Sequence, residues 1–162
     1  VFRGAEYMDN LLAVKVTQDG TDATDKLINV IRNSRNYDQL SIIMLDGITV
    51  AGFNIIDIYK LNEKTKLPVI AVQRKKPDIK KFRKAIKIFD DYKERLKRAD
   101  NAGRIHKFRV NRSFVFYQKA GIGKTQCEEI LKLTCIRSNI PEPLRVAHII
   151  ASGLSGESKR RA

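Results

Sequence analysis

The spacing of apolar residues changes repeatedly along the chain, and each change predicts a new element. Alternation of apolar and polar residues is typical of a half-buried strand, short uniformly apolar runs are typical of buried strands, and apolar residues three or four positions apart are typical of amphipathic helices. The predicted elements are, in order, a strand over 11–17, a helix over 22–34, a strand over 40–46, a helix over 52–64, a strand over 67–72, a helix over 78–98, strands over 106–110 and 113–118, and helices over 125–137 and 141–154.

The order of these elements predicts an α/β protein. Strands and helices alternate up to Gly103, and βαβ alternation suggests a parallel sheet. Two short strands then follow, joined by a predicted hairpin turn at Asn111-Arg112. Without an internal repeat or a long linker, we predict a single domain over residues 1–155 and a short basic tail over residues 156–162.

Several classes of protein are disfavoured by composition. The sequence lacks an apolar run of 18 residues and an N-terminal signal pattern, which argues against a membrane protein and a secreted one. Its two cysteines, Cys127 and Cys135, are eight positions apart and lack a metal-binding partner at the usual spacing. We therefore expect a cytoplasmic protein without a disulfide or a zinc site.

Charge favours a polyanionic partner. The 32 basic and 18 acidic residues give a net charge of +14, and residues 74–98 alone contain twelve basic and four acidic residues. Such a local excess suits contact with a phosphate backbone, although a charged helix face can also be merely solvated. Aromatic residues make up only 7% of the chain and form no ladder along the sequence that would suggest base stacking. The residues predicted to contact nucleic acid are Arg74, Lys75, Lys76, Lys80, Lys81 and Lys84.

Two acidic segments could carry chemistry. Asp46 ends a predicted buried strand and is followed by a glycine-containing turn, and Asp22 lies where the first predicted strand gives way to a helix. Ligands of open α/β sheets gather at the carboxyl ends of strands, and Mg²⁺ prefers carboxylate oxygens. Each acid also has an ordinary interpretation, since aspartate is common in turns and as a helix cap.

A third segment resembles a phosphate-binding loop only superficially. Residues 118–125 read Gln-Lys-Ala-Gly-Ile-Gly-Lys-Thr, but the motif requires a glycine where Gln118 stands. We therefore do not interpret this segment as a nucleotide site.

Three motifs together resemble one family. These are Asp46-Gly47-Ile48-Thr49 through Gly52-Phe53-Asn54, the run Asp19-Gly20-Thr21-Asp22-Ala23-Thr24, and Ile140-Pro141-Glu142-Pro143-Leu144-Arg145 through Ala147-His148. In this order they resemble the archaeal endonuclease dU-like family, a group of long-uncharacterised proteins similar to endonuclease V. The resemblance extends over nearly the whole chain.

The resemblance implies a ribonuclease H-like fold, with a mixed sheet flanked by helices and acids that gather Mg²⁺ or Mn²⁺. It assigns Asp22 and Asp46 as catalytic metal ligands and Arg74 as a phosphate binder. It also implies that the sequence begins inside the family's second strand, so that the leading strand with its pair of aspartates is missing here. Ile122 stands near the position of a histidine in endonuclease V.

The functional hypothesis is therefore a metal-dependent endonuclease that acts on DNA or RNA containing a deaminated base, uracil or hypoxanthine. The alternatives are a non-catalytic nucleic-acid-binding module and a protein-interaction domain of the same fold. Chelation and an Asp46→Asn substitution would abolish cleavage, whereas salt-dependent affinity would survive both in a binding module.

Overall fold

The computed structural model describes residues 1–111 and 113–153. The described part of the chain contains eight strands and six α-helices, in the order expected of a mixed α/β protein. They are β1 (Phe2–Arg3), β2 (Tyr7–Met8), α1 (Ala23–Arg32), β3 (Ile43–Asp46), β4 (Thr49–Val50), β5 (Asn54–Ile55), α2 (Ile58–Thr65), β6 (Val69–Gln73), α3 (Ile79–Ala85), α4 (Tyr92–Asn101), β7 (His106–Val110), β8 (Ser113–Ala120), α5 (Lys124–Thr134) and α6 (Glu142–Gly153).

The central sheet is mixed, with strand order β3-β6-β8-β7. β3 and β6 run parallel, and Asp46 is opposite Val72. β8 is antiparallel to β6 and also to β7, so the carboxyl ends of β3, β6 and β7 meet at one edge with the start of β8. The predicted parallel pairing is confirmed for β3 and β6, and the predicted hairpin after Gly103 is confirmed as β7 and β8.

Helices cover both faces of this sheet, which confirms the predicted sheet flanked by helices. Successive residues of β6 contribute to opposite cores, as strand alternation requires. Val69 and Ala71 pack with α1, α2 and α4, whereas Ile70 and Val72 pack with α5 and α6. The uniformly apolar sequence of β6 therefore reflects burial on two sides.

The predicted helix over 52–64 is wrong over its first six residues, 52–57. Gly52 has φ +84°, and residues 49–55 form the β4–β5 hairpin before α2 begins. Asp57 defines the true start, since its Oδ1 accepts hydrogen bonds from the Tyr59 and Lys60 amides at 3.1 and 2.9 Å. A cap of this kind satisfies the amides that a helix leaves unpaired at its first turn.

The predicted strand over 11–17 is also wrong. This segment belongs to no ladder in the structure, because side chains satisfy part of its backbone. The Lys15 carbonyl accepts from Lys26 Nζ, and the Thr17 amide donates to the Asp22 carboxylate. Leu11 and Leu12 instead line an apolar groove of about 760 Å³ beside β3.

The basic helix predicted over 78–98 is two helices joined by a break. A 3₁₀ turn at Ile86–Ile88 follows α3, and Phe89 is extended at φ −95°, ψ 140°. Its ring packs 5.5 Å from that of Phe53 and beneath the guanidinium of Arg95, with 4.3 Å between Cζ and the ring centroid. These tertiary contacts outweigh the helical spacing of the apolar residues.

None of the helices in the described part of the chain has the length and apolar character that a transmembrane helix requires. The predicted basic tail over 156–162 lies outside the described residues, as does Arg112 of the predicted turn.

Candidate nucleic-acid interface and acidic site

Asp46 lies exposed at the carboxyl end of β3. The chain turns immediately afterwards, since Gly47 has φ +77° and donates its amide to the Val72 carbonyl at 2.9 Å. A side chain at Gly47 would crowd Gln73, because its Cβ would lie 2.9 Å from Gln73 Nε2. Among the described residues, none forms a hydrogen bond or ion pair with the Asp46 carboxylate. The sheet thus presents one unengaged carboxylate at this edge.

Asp22 has the opposite environment, since several donors hold its carboxylate. The donors are Lys26 Nζ at 2.7 Å, Thr17 Oγ1 at 2.8 Å, Asn54 Nδ2 at 2.6 Å and the Thr17 amide at 3.2 Å. These contacts, with Lys26 contributing most, hold the pKa of Asp22 well below its usual value. Asp22 precedes α1, but its side chain does not cap the helix.

Asn54 and Arg95 join the loop that contains Asp22 to the loop that follows β4. Asn54 is fully buried, and its amide group also donates to the Thr17 carbonyl and accepts from the Ala23 amide. Arg95 is 5% exposed and uses its guanidinium as a clamp on both loops. It donates to Asp91 Oδ1 at 2.6 Å and to the carbonyls of Gly20, Phe53 and Asp19 at 3.1, 2.8 and 2.8 Å. We call Thr17, Asp22, Asn54 and Arg95 the loop junction.

The two acidic segments therefore meet, but their carboxylates do not form a metal cage. Asp19 Oδ1 accepts from the Phe53 amide at 2.8 Å, and a Cβ at Gly52 would overlap the Asp19 carboxylate. Within residues 1–111 and 113–153, no three His, Cys, Asp or Glu side chains gather as a metal site. The donor set, one free carboxylate and one engaged carboxylate, does not hold a divalent cation without further oxygen ligands.

The basic segment begins at the same edge as Asp46. Residues 74–76 continue directly from β6, and all three are exposed. They lead into α3, whose Phe82 packs 6.0 Å from Phe53 in the β4–β5 turn. The basic loop and helix thus flank the segment that follows Asp46. We call Asp46 and Arg74–Lys76 the exposed edge.

Most of the predicted phosphate contacts are exposed and lack an acidic partner. In the segment 74–98, Lys81 pairs with Asp78 at 3.8 Å, and Arg83 pairs with Asp100. Seven further lysines of this segment form no ion pair within the described chain, so their charge is available to a ligand. They are Lys75, Lys76, Lys80, Lys84, Lys87, Lys93 and Lys97.

The β7–β8 hairpin contributes a basic and aromatic surface that the sequence pattern did not reveal. Lys107 is opposite Phe116, and Arg109 is opposite Phe114. Paired residues share a sheet face, so these four side chains lie together, and Lys107 Nζ is 3.9 Å from the centroid of the Phe114 ring. We call this group the aromatic patch. Alternation within each strand indicates which residues share a face. Only the register between β7 and β8 shows that the cations of one strand lie beside the rings of the other.

The segment that resembles a phosphate-binding loop has another arrangement. Lys119 donates to the Ile122 carbonyl at 2.7 Å, and Gln126 accepts from the Gly123 amide at 3.3 Å. Lys119 thus closes the loop on itself. Ile122 packs at the margin of the core beneath α5.

The fold and these surfaces define a mixed α/β protein with a strongly basic exposed edge around one free carboxylate. The chain belongs to the Endonuclease dU family, which it matches over residues 1–155. This finding confirms the family resemblance that the three motifs indicated.

Relatives from several archaea are similar over the whole chain. A UPF0215 protein of Methanosarcina mazei is 50% identical, with the alignment covering all of this chain and 84% of the relative. A UPF0215 protein of Methanothermobacter thermautotrophicus is 47% identical over all of this chain and 80% of the relative. The crystal structure of an Archaeoglobus fulgidus protein of unknown function is 38% identical, with a TM-score of 0.88 over 94% of this chain and 86% of that one.

Proposed function

We propose that this protein binds nucleic acid along its basic surface and acts on it as an endonuclease at Asp46. The observation that carries the proposal is the free Asp46 carboxylate beside the basic loop Arg74–Lys76 at the carboxyl end of two parallel strands. Membership of the Endonuclease dU family supports the same reaction class. We further propose, from the resemblance, that the substrate contains a deaminated base.

The cation surface would position the substrate. Lysines that lack acidic partners can each neutralise a phosphate and release a condensed counterion. Lys75 and Lys76 lie beside the exposed carboxylate, whereas Lys80 and Lys84 extend the surface along α3. We propose these residues, with Arg74 and Lys81, as the backbone contacts that hold a phosphodiester near Asp46.

We propose Mg²⁺ or Mn²⁺ as the cofactor. Mg²⁺ is commonly bound through one or two carboxylates together with substrate phosphates, so the donor set of Asp46 can suffice once nucleic acid is present. Such an ion would supply charge stabilisation of the phosphoryl oxygens and activation of water. Asp22 is ionised but occupied, and as a ligand it would have to release Lys26 or Asn54.

A nicking assay tests the proposal. Labelled DNA and RNA that contain uracil or hypoxanthine are incubated with the protein in Mg²⁺, in Mn²⁺ and in chelator. We expect metal-dependent nicking that Asp46→Asn abolishes. Asp38→Asn is the matched control, because Asp38 is also exposed and lies in a 3₁₀ turn, Tyr37–Gln39, which precedes β3 at the opposite end of that strand.

The control separates the role of the carboxylate from the removal of one negative charge. Nicking that survives chelation or Asp46→Asn, or that Asp38→Asn abolishes equally, would contradict the proposal. A second candidate, a non-catalytic nucleic-acid-binding module, is favoured by the engaged state of Asp22. It predicts salt-sensitive binding of all variants without any nicking.

A further inference from the structure

The aromatic patch has an open face where the rest of the sheet is covered. The alternate residues of the hairpin, among them Val110, Val115 and Tyr117, are buried against α5 and α6. The patch residues therefore face the other side of the sheet. On that side Gln118 and Ala120 of β8 are buried, but Phe114 remains 45% exposed. On this face the helices therefore cover the end of β8 but not its beginning.

The charge around the exposed ring is uncompensated. Lys107 and Arg109 are both exposed, and neither forms an ion pair with an acidic side chain of the described chain. Lys107 lies over the Phe114 ring, which gives a cation and a π-face the spacing of a cation–π contact. A ring that is 45% exposed, beside two cations without acidic partners in the described chain, suits a ligand that is both planar and anionic.

The patch lies near the exposed edge, at the same end of the sheet. Phe116 is opposite Gln73 in the β6–β8 ladder, and Gln73 packs against Gly47, the residue after Asp46. Asp46 is opposite Val72, which packs with α5 and α6, so its side chain belongs to the other face of the sheet. A ligand that contacts both the patch and Asp46 therefore has to pass over the carboxyl edge of β6 and β3. Because neighbouring strands are about 4.8 Å apart, the two strand steps from β8 to β3 amount to a lateral separation on the order of 10 Å.

We propose that the aromatic patch is a stacking platform for unpaired nucleotides, with a base on Phe114 and adjoining phosphates on Lys107 and Arg109. The proposal rests on the proposed function and specifies its substrate class. A base inside a duplex has no free π-face, so the ring can engage only a single strand or an extruded base. Stacking tolerates any base, and the two cations account for backbone contact without sequence readout.

Binding measurements with an apolar replacement of the ring test the platform. Phe114→Leu keeps an apolar side chain at this exposed position but removes the π-face. The probe is a 12-nucleotide end-labelled DNA with one 2-aminopurine, used single-stranded and as a duplex at fixed salt. Tyr59→Leu is the matched control, because it removes a ring that is 50% exposed on α2 and whose hydroxyl lies near Gly103, before the start of β7, whereas Phe114 pairs with Arg109 toward the end of β7.

We expect Phe114→Leu to weaken single-strand affinity by about five- to 100-fold and to reduce the 2-aminopurine quenching, while duplex affinity changes less than about twofold. The salt dependence should stay as in the wild type, since the ring contacts no phosphate. Tyr59→Leu should bind both probes like the wild type.

A second variant tests the cations on their own. Lys107→Gln with Arg109→Gln, both at exposed positions, should lower the slope of log affinity against log salt for the single strand by about 0.7 for each phosphate that is no longer neutralised. Circular dichroism establishes that each variant is folded.

The outcomes separate this proposal from the proposed function. If the wild type binds neither probe, the proposed nucleic-acid function itself fails. If the wild type binds but Phe114→Leu keeps single-strand affinity within twofold, or weakens single strand and duplex equally, the platform is overturned while nucleic-acid binding stands.

Discussion

The loop junction and the exposed edge use their polar groups in opposite ways. In the loop junction, Asp22, Asn54 and Arg95 direct their hydrogen bonds into the protein. At the exposed edge, Asp46 and the neighbouring lysines have no such partners within the described residues. Two aspartates of similar appearance in sequence therefore have different physical roles: Asp22 holds two loops together, and Asp46 faces solvent.

The contrast follows from burial. Asn54 and Arg95 are buried, and a buried polar group is costly unless its hydrogen bonds are made. No side-chain nitrogen or oxygen that is fully buried in the described part of the chain lacks a partner. Exposed groups carry no such requirement, because water satisfies them. Groups left for water are therefore the ones available to a ligand.

The largest expected effect on stability comes from removing the Arg95 guanidinium from the loop junction. Arg95→Ala would leave three carbonyls and the Asp91 carboxylate without their donor and would remove the cation from the Phe89 ring. Removal of one partner from a buried charged network typically costs about 3–5 kcal/mol. We expect urea unfolding to show a decrease of this size in the free energy of unfolding.

Lys97→Ala on the same helix is the control, since Lys97 is exposed and has no acidic partner in the described chain. Its effect should stay within about 0.5 kcal/mol. Arg95→Lys should fall between the two, because lysine keeps the charge but not the planar fork. An Arg95→Ala protein as stable as Lys97→Ala would show that the clamp is not structural.

The architecture was largely predictable, because strand and helix periods are set by burial. The strand ending on Asp46, the β7–β8 hairpin and both C-terminal helices follow from apolar spacing alone. The errors occurred where tertiary contacts satisfy the backbone in another way. Asn54 and Arg95 hold residues 17–22 and 51–54 in turns, and no local pattern indicates contacts that span more than 30 positions.

The candidate site was predictable only in part, for the same reason. Asp46 and the lysines were found because strand ends and charge density can be read locally. The engagement of Asp22 depends on Asn54, which is 32 positions away. The aromatic patch depends on the register between β7 and β8, which places the cations of one strand beside the rings of the other.

An effect of intermediate size is expected on the pH dependence of stability when Asp22 or Asp46 is replaced by asparagine. A carboxyl whose pKa is lower in the folded state contributes stability that is complete above its unfolded pKa, near 3.9, and is lost progressively as the pH falls from there toward the folded pKa. Asp22 is such a group, because Lys26, Thr17 and Asn54 stabilise its charged form. Asp22→Asn should therefore be less stable than the wild type at neutral pH.

That difference should be constant above about pH 5 and should shrink as the pH falls below about 4, because the unfolded wild-type chain then takes up a proton on Asp22 while the folded protein keeps this carboxyl ionised. Asp46→Asn should match the wild type throughout, since the Asp46 side chain forms no hydrogen bond or ion pair within the described residues. Thermal unfolding from pH 3 to 7 measures both. Equal, pH-independent destabilisation by the two substitutions would remove the distinction between the loop junction and the exposed edge.

Substitution of the lysines of α3 is expected to have the smallest effect on stability. Its effect on nucleic-acid binding should nevertheless be specific. Lys80→Gln and Lys84→Gln should change the free energy of unfolding by less than about 0.5 kcal/mol, because both side chains are exposed and unpaired in the described structure. Each should lower affinity for single strands and duplexes alike and reduce the salt slope by about 1. Lys132→Gln on the opposite face of the sheet, in α5, controls for the removal of one positive charge. A salt slope that falls equally with Lys132→Gln would show that binding responds to net charge and not to a contact surface around the exposed edge.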